Sequence, residues 1–68
     1  MREQIKIGLS FLTAAQNRQF RVIFGQGNVA ASSDYVVDMM PEARLESALA
    51  TVRKALVGAK IKVEGVNT

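Results

Sequence analysis

Apolar and polar residues alternate along three short segments of the chain: one near the start, one in the first half and one near the end. The apolar residues that share a parity are Ile5, Ile7, Leu9 and Phe11, then Phe20, Val22 and Phe24, and finally Ile61 and Val63. A period of two places alternate side chains on opposite faces of a pleated strand. The pattern therefore predicts a β-sheet with one apolar face and one largely cationic face.

The strands are predicted over about residues 4–13, 19–24 and 29–38, with a further strand around Ile61 and Val63. Gly25-Gln26-Gly27-Asn28 has the composition of a turn and is expected to join the second and third strands. Residues 9–20 or 29–40 could instead be helical, because Ala-rich segments suit either structure. Both alternatives stay open at this point.

One amphipathic helix is predicted from Pro41 to Val57. Its apolar positions recur at helical spacing and form one stripe: Leu45, Ala48, Leu49, Val52 and Leu56. Pro41 suits the first turn of a helix, where a missing N–H group is not needed. Gly58 suits the position after the last turn, where a left-handed backbone is common.

Together these elements predict an α+β fold in which residues 1–68 form one small domain. A mostly antiparallel β-β-β-α-β sheet of about four strands would carry the helix on one face. A chain of this length buries only about 60% of its unfolded surface, and it contains no Cys or His that could add a disulfide or an ordinary zinc site. We therefore expect no metal, and we expect the domain to gain stability as a homo-oligomer.

The longest apolar stretches are far shorter than the roughly 20 residues that cross a bilayer. The start of the chain alternates in polarity and lacks the continuous apolar block of a signal peptide. These features predict a cytoplasmic protein that does not bind membranes. The net charge of +3 favours acidic partners only mildly.

The run Gly25-Gln26-Gly27-Asn28-Val29-Ala30 resembles the dinucleotide-binding turn of some NADP-dependent reductases. That resemblance implies a strand before the turn, a helix after Ala30 and a second parallel strand. Residues 31–39 have a composition that suits a strand better than a helix, and 68 residues are too few for the two halves of that fold. We interpret the run as a hairpin turn and expect no cofactor.

The chain has no His to serve as a general base and no Cys nucleophile, and its hydroxyl groups have no evident activating partner. Asp34, Asp38 and Glu42 recur every four residues and would align on a helix as possible ligands of a hard cation. On a strand, the two aspartates would instead pair with nearby cations such as Arg21. The sequence therefore predicts a protein that is not an enzyme.

Two surface features remain as candidates for function. The exposed sheet face would carry four cations that could contact a nucleic-acid backbone: Lys6, Arg21, Lys60 and Lys62. Ile23 and Val36 would be apolar exceptions on that face and could form an oligomer interface. We predict a binding or assembly protein that contacts itself or another protein, with single-stranded DNA or RNA binding as the alternative.

Overall fold

The computed structural model describes residues 1–27 and 29–68, and it is helical throughout its regular structure. The helices are α1 (Arg2–Ser10), α2 (Ala14–Phe24), α3 (Ser33–Met39) and α4 (Leu45–Gly58), and a 3-10 turn at Glu42–Arg44 leads into α4. No strand occurs among the described residues, so the predicted α+β sheet is wrong. Asn28, the last residue of the predicted hairpin turn, lies outside the described residues.

The first predicted strand is wrong: this segment is α1, and the apolar residues of one parity lie on two different sides of the helix. Ile5 and Leu9 lie four residues apart, on one side of the helix, and both are buried. Ile7 and Phe11 share the same parity but are 45% and 53% exposed. The apparent period of two therefore came from two apolar pairs of helical spacing, one buried and one exposed.

The second predicted strand is α2, and a capping box starts it. The Thr13 hydroxyl accepts a hydrogen bond from the Gln16 backbone N–H at 3.1 Å, and the Gln16 side chain accepts one from the Thr13 backbone N–H at 2.9 Å. Phe20 and Phe24 follow on one helix face, where both are buried with their ring centroids 4.8 Å apart. Their four-residue spacing is helical, and the intervening Val22 is exposed.

The third predicted strand is largely α3, so the helical alternative for 29–40 was closer to the structure. Ser32 caps the start of α3 by accepting a hydrogen bond from the Tyr35 backbone N–H at 3.1 Å. Val36, Val37 and Met40 are buried on its inner side. The residues around Ile61 and Val63, predicted as a last strand, form an irregular segment after α4.

The predicted C-terminal helix is present as α4 with all five residues of its stripe buried, but it begins at Leu45 and not at Pro41, which precedes the 3-10 turn. Its end differs from the prediction, because Gly58 is still helical and Lys60 takes the left-handed conformation at φ 60°. The Ile61 N–H donates to the Leu56 carbonyl at 2.9 Å and the Lys60 N–H to the Val57 carbonyl at 3.0 Å. This is the hydrogen-bond pair of a Schellman motif, with a lysine where glycine is usual.

Helix α4 is the centre of the core, and α1 lies directly against it. A side-chain carbon on Gly8 would lie 2.4 Å from Cγ1 of Val52, so the absence of one permits the close approach. The segment after α4 folds back and buries Val63 and Val66 in the same core. None of the helices in the described part of the chain has both the length and the apolar character needed to cross a lipid bilayer.

Amide side chains hold the connections between these elements. The Asn17 amide donates to the carbonyl oxygens of Leu9 and Thr13 at 2.9 and 3.0 Å, where α1 has ended and α2 begins. Asn67 accepts a hydrogen bond from the Val63 N–H at 2.7 Å and donates to the Ile61 carbonyl at 2.9 Å. The Asn67 bonds satisfy backbone groups outside any helix, and the Asn17 bonds tie the end of α1 to the start of α2, so both connections have a defined course.

Candidate functional site

The Gly25-x-Gly27 turn follows a helix, whereas the dinucleotide-binding turn follows a strand. Structural needs account for both glycines. A side-chain carbon on Gly25 would lie 2.5 Å from the Arg21 carbonyl oxygen, and Gly27 has φ 87°, which L-residues rarely adopt. The resemblance to NADP-dependent reductases therefore gains no support from the fold around the turn.

The hydroxyl groups of Ser10, Ser32 and Ser33 make structural hydrogen bonds. The Ser33 hydroxyl donates to the Asn17 side-chain oxygen at 2.7 Å and accepts from the Arg21 guanidinium at 3.1 Å. Ser32 caps α3, and the Ser10 hydroxyl donates to the Ile7 carbonyl at 2.6 Å. Within residues 1–27 and 29–68, no group of three or more acidic residues has a metal-binding arrangement.

The four cations predicted to share one face lie in different surroundings. The Lys6 ammonium lies 2.6 Å from an Asp38 carboxylate oxygen and 3.8 Å from a Glu3 oxygen. The Arg21 guanidinium is half-buried and donates to the Val29 carbonyl at 3.1 Å as well as to Ser33. Only Lys60 and Lys62 come together, on one groove after the end of α4.

The Lys6–Asp38 ion pair joins α1 to α3 and is expected to make stability depend on alkaline pH. The hydrogen bond with Asp38 raises the pKa of Lys6 above its ordinary value of 10.5. Because the pKa is raised in the folded state, the contribution of Lys6 is complete below the unfolded value and is lost as pH rises through the folded one. Urea unfolding measured from neutral pH to above pH 10.5 should show this loss.

The matched control for that titration is Asp38→Asn, which removes the carboxylate and keeps a side chain of similar shape. The unmodified protein should lose more stability than this variant over the alkaline range, because the other titrating groups are common to both. Parallel pH profiles for the two proteins would contradict a coupling between Lys6 and Asp38.

The two predicted interface residues also differ in position. Ile23 is exposed on α2, and its carbonyl accepts a hydrogen bond from Arg44 at 3.5 Å. Val36 is buried on the inner side of α3, yet it forms part of the floor of a surface groove. The sheet face on which both residues were expected to project does not exist among the described residues.

The groove beside Val36 is the first candidate binding surface, and two large side chains project next to it. Tyr35 and Met39 lie one turn apart on α3 and are 51% and 66% exposed. The groove has a volume of about 100 Å³ and runs from the end of α2 to the end of α3. Its lining consists of Phe24, Gly25, Gln26, Tyr35, Val36, Met39, Met40 and Pro41. We call Tyr35, Met39 and this groove the α3 surface.

The α3 surface was not predicted, because residues 29–38 were interpreted as a strand. Tyr35 and Met39 are four residues apart, and Ser32 before them is a typical helix N-cap. Read at helical spacing, the segment places Tyr35 with Met39 on one face and Val36 with Met40 on another. The helical alternative for residues 29–40 would therefore have predicted an exposed aromatic–methionine pair.

Two further surface features lie elsewhere on the described residues. Ile7 on α1 and Phe11 at its C-cap form an exposed apolar pair that does not line the groove of the α3 surface. A groove of about 280 Å³ lies after α4 and is lined by Val57, Lys60, Ile61, Lys62, Asn67 and Thr68. We call it the α4 groove.

Comparisons of the chain with protein-family models, with curated proteins and with solved structures gave no match.

Proposed function

We propose that this protein is a non-enzymatic binding and assembly protein that self-associates through the α3 surface. The observation that carries the proposal is the pairing of Tyr35 and Met39, two large exposed side chains, along a groove of mixed polarity on the same short helix. Aromatic residues and methionine are enriched in protein interfaces and supply much of their binding energy. A cytoplasmic location forms part of the proposal and agrees with a chain that has no Cys.

A two-fold contact suits the α3 surface because projecting side chains and a groove lie side by side. In an isologous dimer the same patch occurs on both copies, so Met39 of each copy can enter the groove of the other. Helix α3 has seven residues and is therefore only about 10 Å long. The contact is small, and we expect a weak dimer that forms at high protein concentration.

Sedimentation equilibrium tests this proposal with two matched double variants. Tyr35→Ser with Met39→Ser should abolish self-association, since it removes both projecting side chains from the α3 surface. Ile7→Ser with Phe11→Ser removes an exposed apolar pair of the same spacing from α1 and should leave the dimer intact. Circular dichroism should show unchanged helix content for both, because all four side chains are exposed.

A monomer at every concentration of the unmodified protein would refute self-association. Loss of the dimer in the α1 variant, with retention in the α3 variant, would place the contact on α1 and refute the role of the α3 surface.

Nucleic-acid binding is the second candidate, and one observation favours it. Lys60 and Lys62 line one groove, and neither forms an ion pair within the described part of the chain. Two phosphate contacts would contribute a log–log salt slope of only about 1.4 for a single strand. The groove has no aromatic residue on which a base could stack. We therefore rank this function below protein binding.

A further inference from the structure

We infer that the α4 groove is a second binding site, which takes an acidic segment of a partner protein that carries an apolar anchor residue. The inference goes beyond self-association, because the α4 groove and the α3 surface share no residue. It rests on the chemistry of the groove walls, on the charges at its rim and on the rigidity of its backbone.

The walls of the α4 groove are apolar on the helix side. Val57 in the last turn of α4 is 66% exposed, and Ile61 is half-buried against the core. An exposed valine beside a partly exposed isoleucine in a concave surface suits one aliphatic side chain of a ligand. This part of the groove selects for an apolar anchor.

The rim of the groove is cationic. Lys60 and Lys62 are exposed, and the described residues provide no carboxylate within ion-pairing distance of either. Glu64 is exposed two residues further on but does not line the groove, and the protein as a whole carries a net charge of +3. Charge complementarity therefore favours a ligand that carries carboxylates next to the apolar anchor.

The backbone that carries these lysines is held in place. Lys60 occupies the left-handed position of the Schellman motif at φ 60°, where glycine is usual. Asn67, which also lines the groove, fixes the segment after α4 through its hydrogen bonds with Ile61 and Val63. A preformed groove loses little conformational entropy when a ligand binds.

A lysine-rimmed groove could also attract a nucleic-acid backbone, but its lining favours a peptide. Single-stranded nucleic acids gain affinity when bases stack on aromatic side chains, and none lines the groove. The phosphate groups of a bound oligonucleotide would leave the apolar wall of the groove exposed to water. A peptide covers both the apolar wall and the charges, so an oligonucleotide is the competing outcome of the test.

The experiment is a titration of ¹⁵N-labelled protein followed by amide chemical shifts. The probe is a peptide blocked at both ends with the sequence Asp-Asp-Leu-Leu-Glu-Glu, and the comparison peptide is Asn-Asn-Leu-Leu-Gln-Gln. The acidic peptide should cause saturable shifts concentrated in residues 57–68. Its affinity should exceed that of the amide peptide and fall when salt is raised from about 50 mM to about 500 mM.

The variant Lys60→Gln with Lys62→Gln should weaken binding of the acidic peptide by about three- to tenfold, as expected for two exposed ion pairs. Lys54→Gln is the matched control, because Lys54 is exposed on α4 but does not line the groove. That variant should retain the affinity of the unmodified protein. An unchanged spectrum away from residues 57–68 shows that each variant folds.

Three results would overturn the inference. One is equal affinity for the acidic and the amide peptide, and another is equal weakening by Lys54→Gln and by the double variant. The third is saturation of the groove by a thymidine oligonucleotide with higher affinity than the acidic peptide, which would assign the site to nucleic acid. A monomeric protein in sedimentation equilibrium would leave this inference standing and would refute only the α3 contact.

Discussion

Leu56→Ala is expected to leave a large part of the protein unfolded at room temperature. Leu56 is fully buried on α4, and its side chain lies next to Gly8 of α1. Truncation of a buried leucine costs about 2–5 kcal/mol, and a core of this size supplies only about 3–5 kcal/mol in total. Urea unfolding followed by circular dichroism at the helical band measures the loss.

The matched control is the next residue along the same helix. Val57 is 66% exposed, so Val57→Ala should change the free energy of unfolding by no more than about 0.5 kcal/mol. If the two variants were equally stable, or if their order were reversed, α4 would not present the face that the structure gives it.

Gly8→Ala and Gly58→Ala are expected to change stability in opposite directions, although both replace a helical glycine. At Gly58 a new side-chain carbon meets nothing within 4 Å, so the variant should gain about 0.5–1 kcal/mol from the better helix former. At Gly8 the new carbon would lie 2.4 Å from the buried Val52, and the overpacking should cost about 1–3 kcal/mol net. Urea unfolding of the two variants checks both signs.

A double-mutant cycle identifies the cause of the Gly8 effect. Val52→Ala makes room for the added methyl group, so it should cost less in the Gly8→Ala background than in the unmodified protein. Additive effects would show that α1 and α4 are not in contact at this point.

Local sequence patterns predicted α4 and failed for the other helices, for a physical reason. Helix α4 has five stripe residues over three turns, which is enough to distinguish a period of 3.6 from a period of two. In α1 and α2 an exposed apolar residue stands between two buried ones, as Ile7 does between Ile5 and Leu9. Over a short segment, that arrangement fits a helical period of 3.6 as well as a strand period of two.

The sequence contains N-capping residues for α2 and α3, and these favour a helix over a strand in both segments. Thr13 followed by Gln16 is a capping box, and Ser32 is followed by an acidic residue in the first turn of α3. The end of α4 was less accessible to prediction, because the left-handed residue is Lys60 although a glycine stands two positions earlier. Packing of Ile61 and Val63 against the core selects that end.

The candidate sites were partly accessible from the sequence. Lys60 and Lys62 do line one groove, as predicted, but Lys60 has the left-handed conformation that ends α4, so the strand alternation behind the prediction is not the cause. Lys6 and Arg21 could not be assigned, because their partners Asp38 and Ser33 are more than ten residues distant in the chain. Tyr35 and Met39 could be recognised as a pair only after their segment was known to be helical.

The central claim is that two copies meet through the α3 surface, and an isotope-filtered NOE measurement on a mixed sample tests it most directly. One half of the protein is labelled with ¹³C and ¹⁵N and the other half is unlabelled, so that only contacts between copies are detected. Our account predicts intermolecular NOEs between the Tyr35 ring and the Met39 methyl group. Intermolecular NOEs confined to Ile7 and Phe11, or none at high concentration, would contradict it.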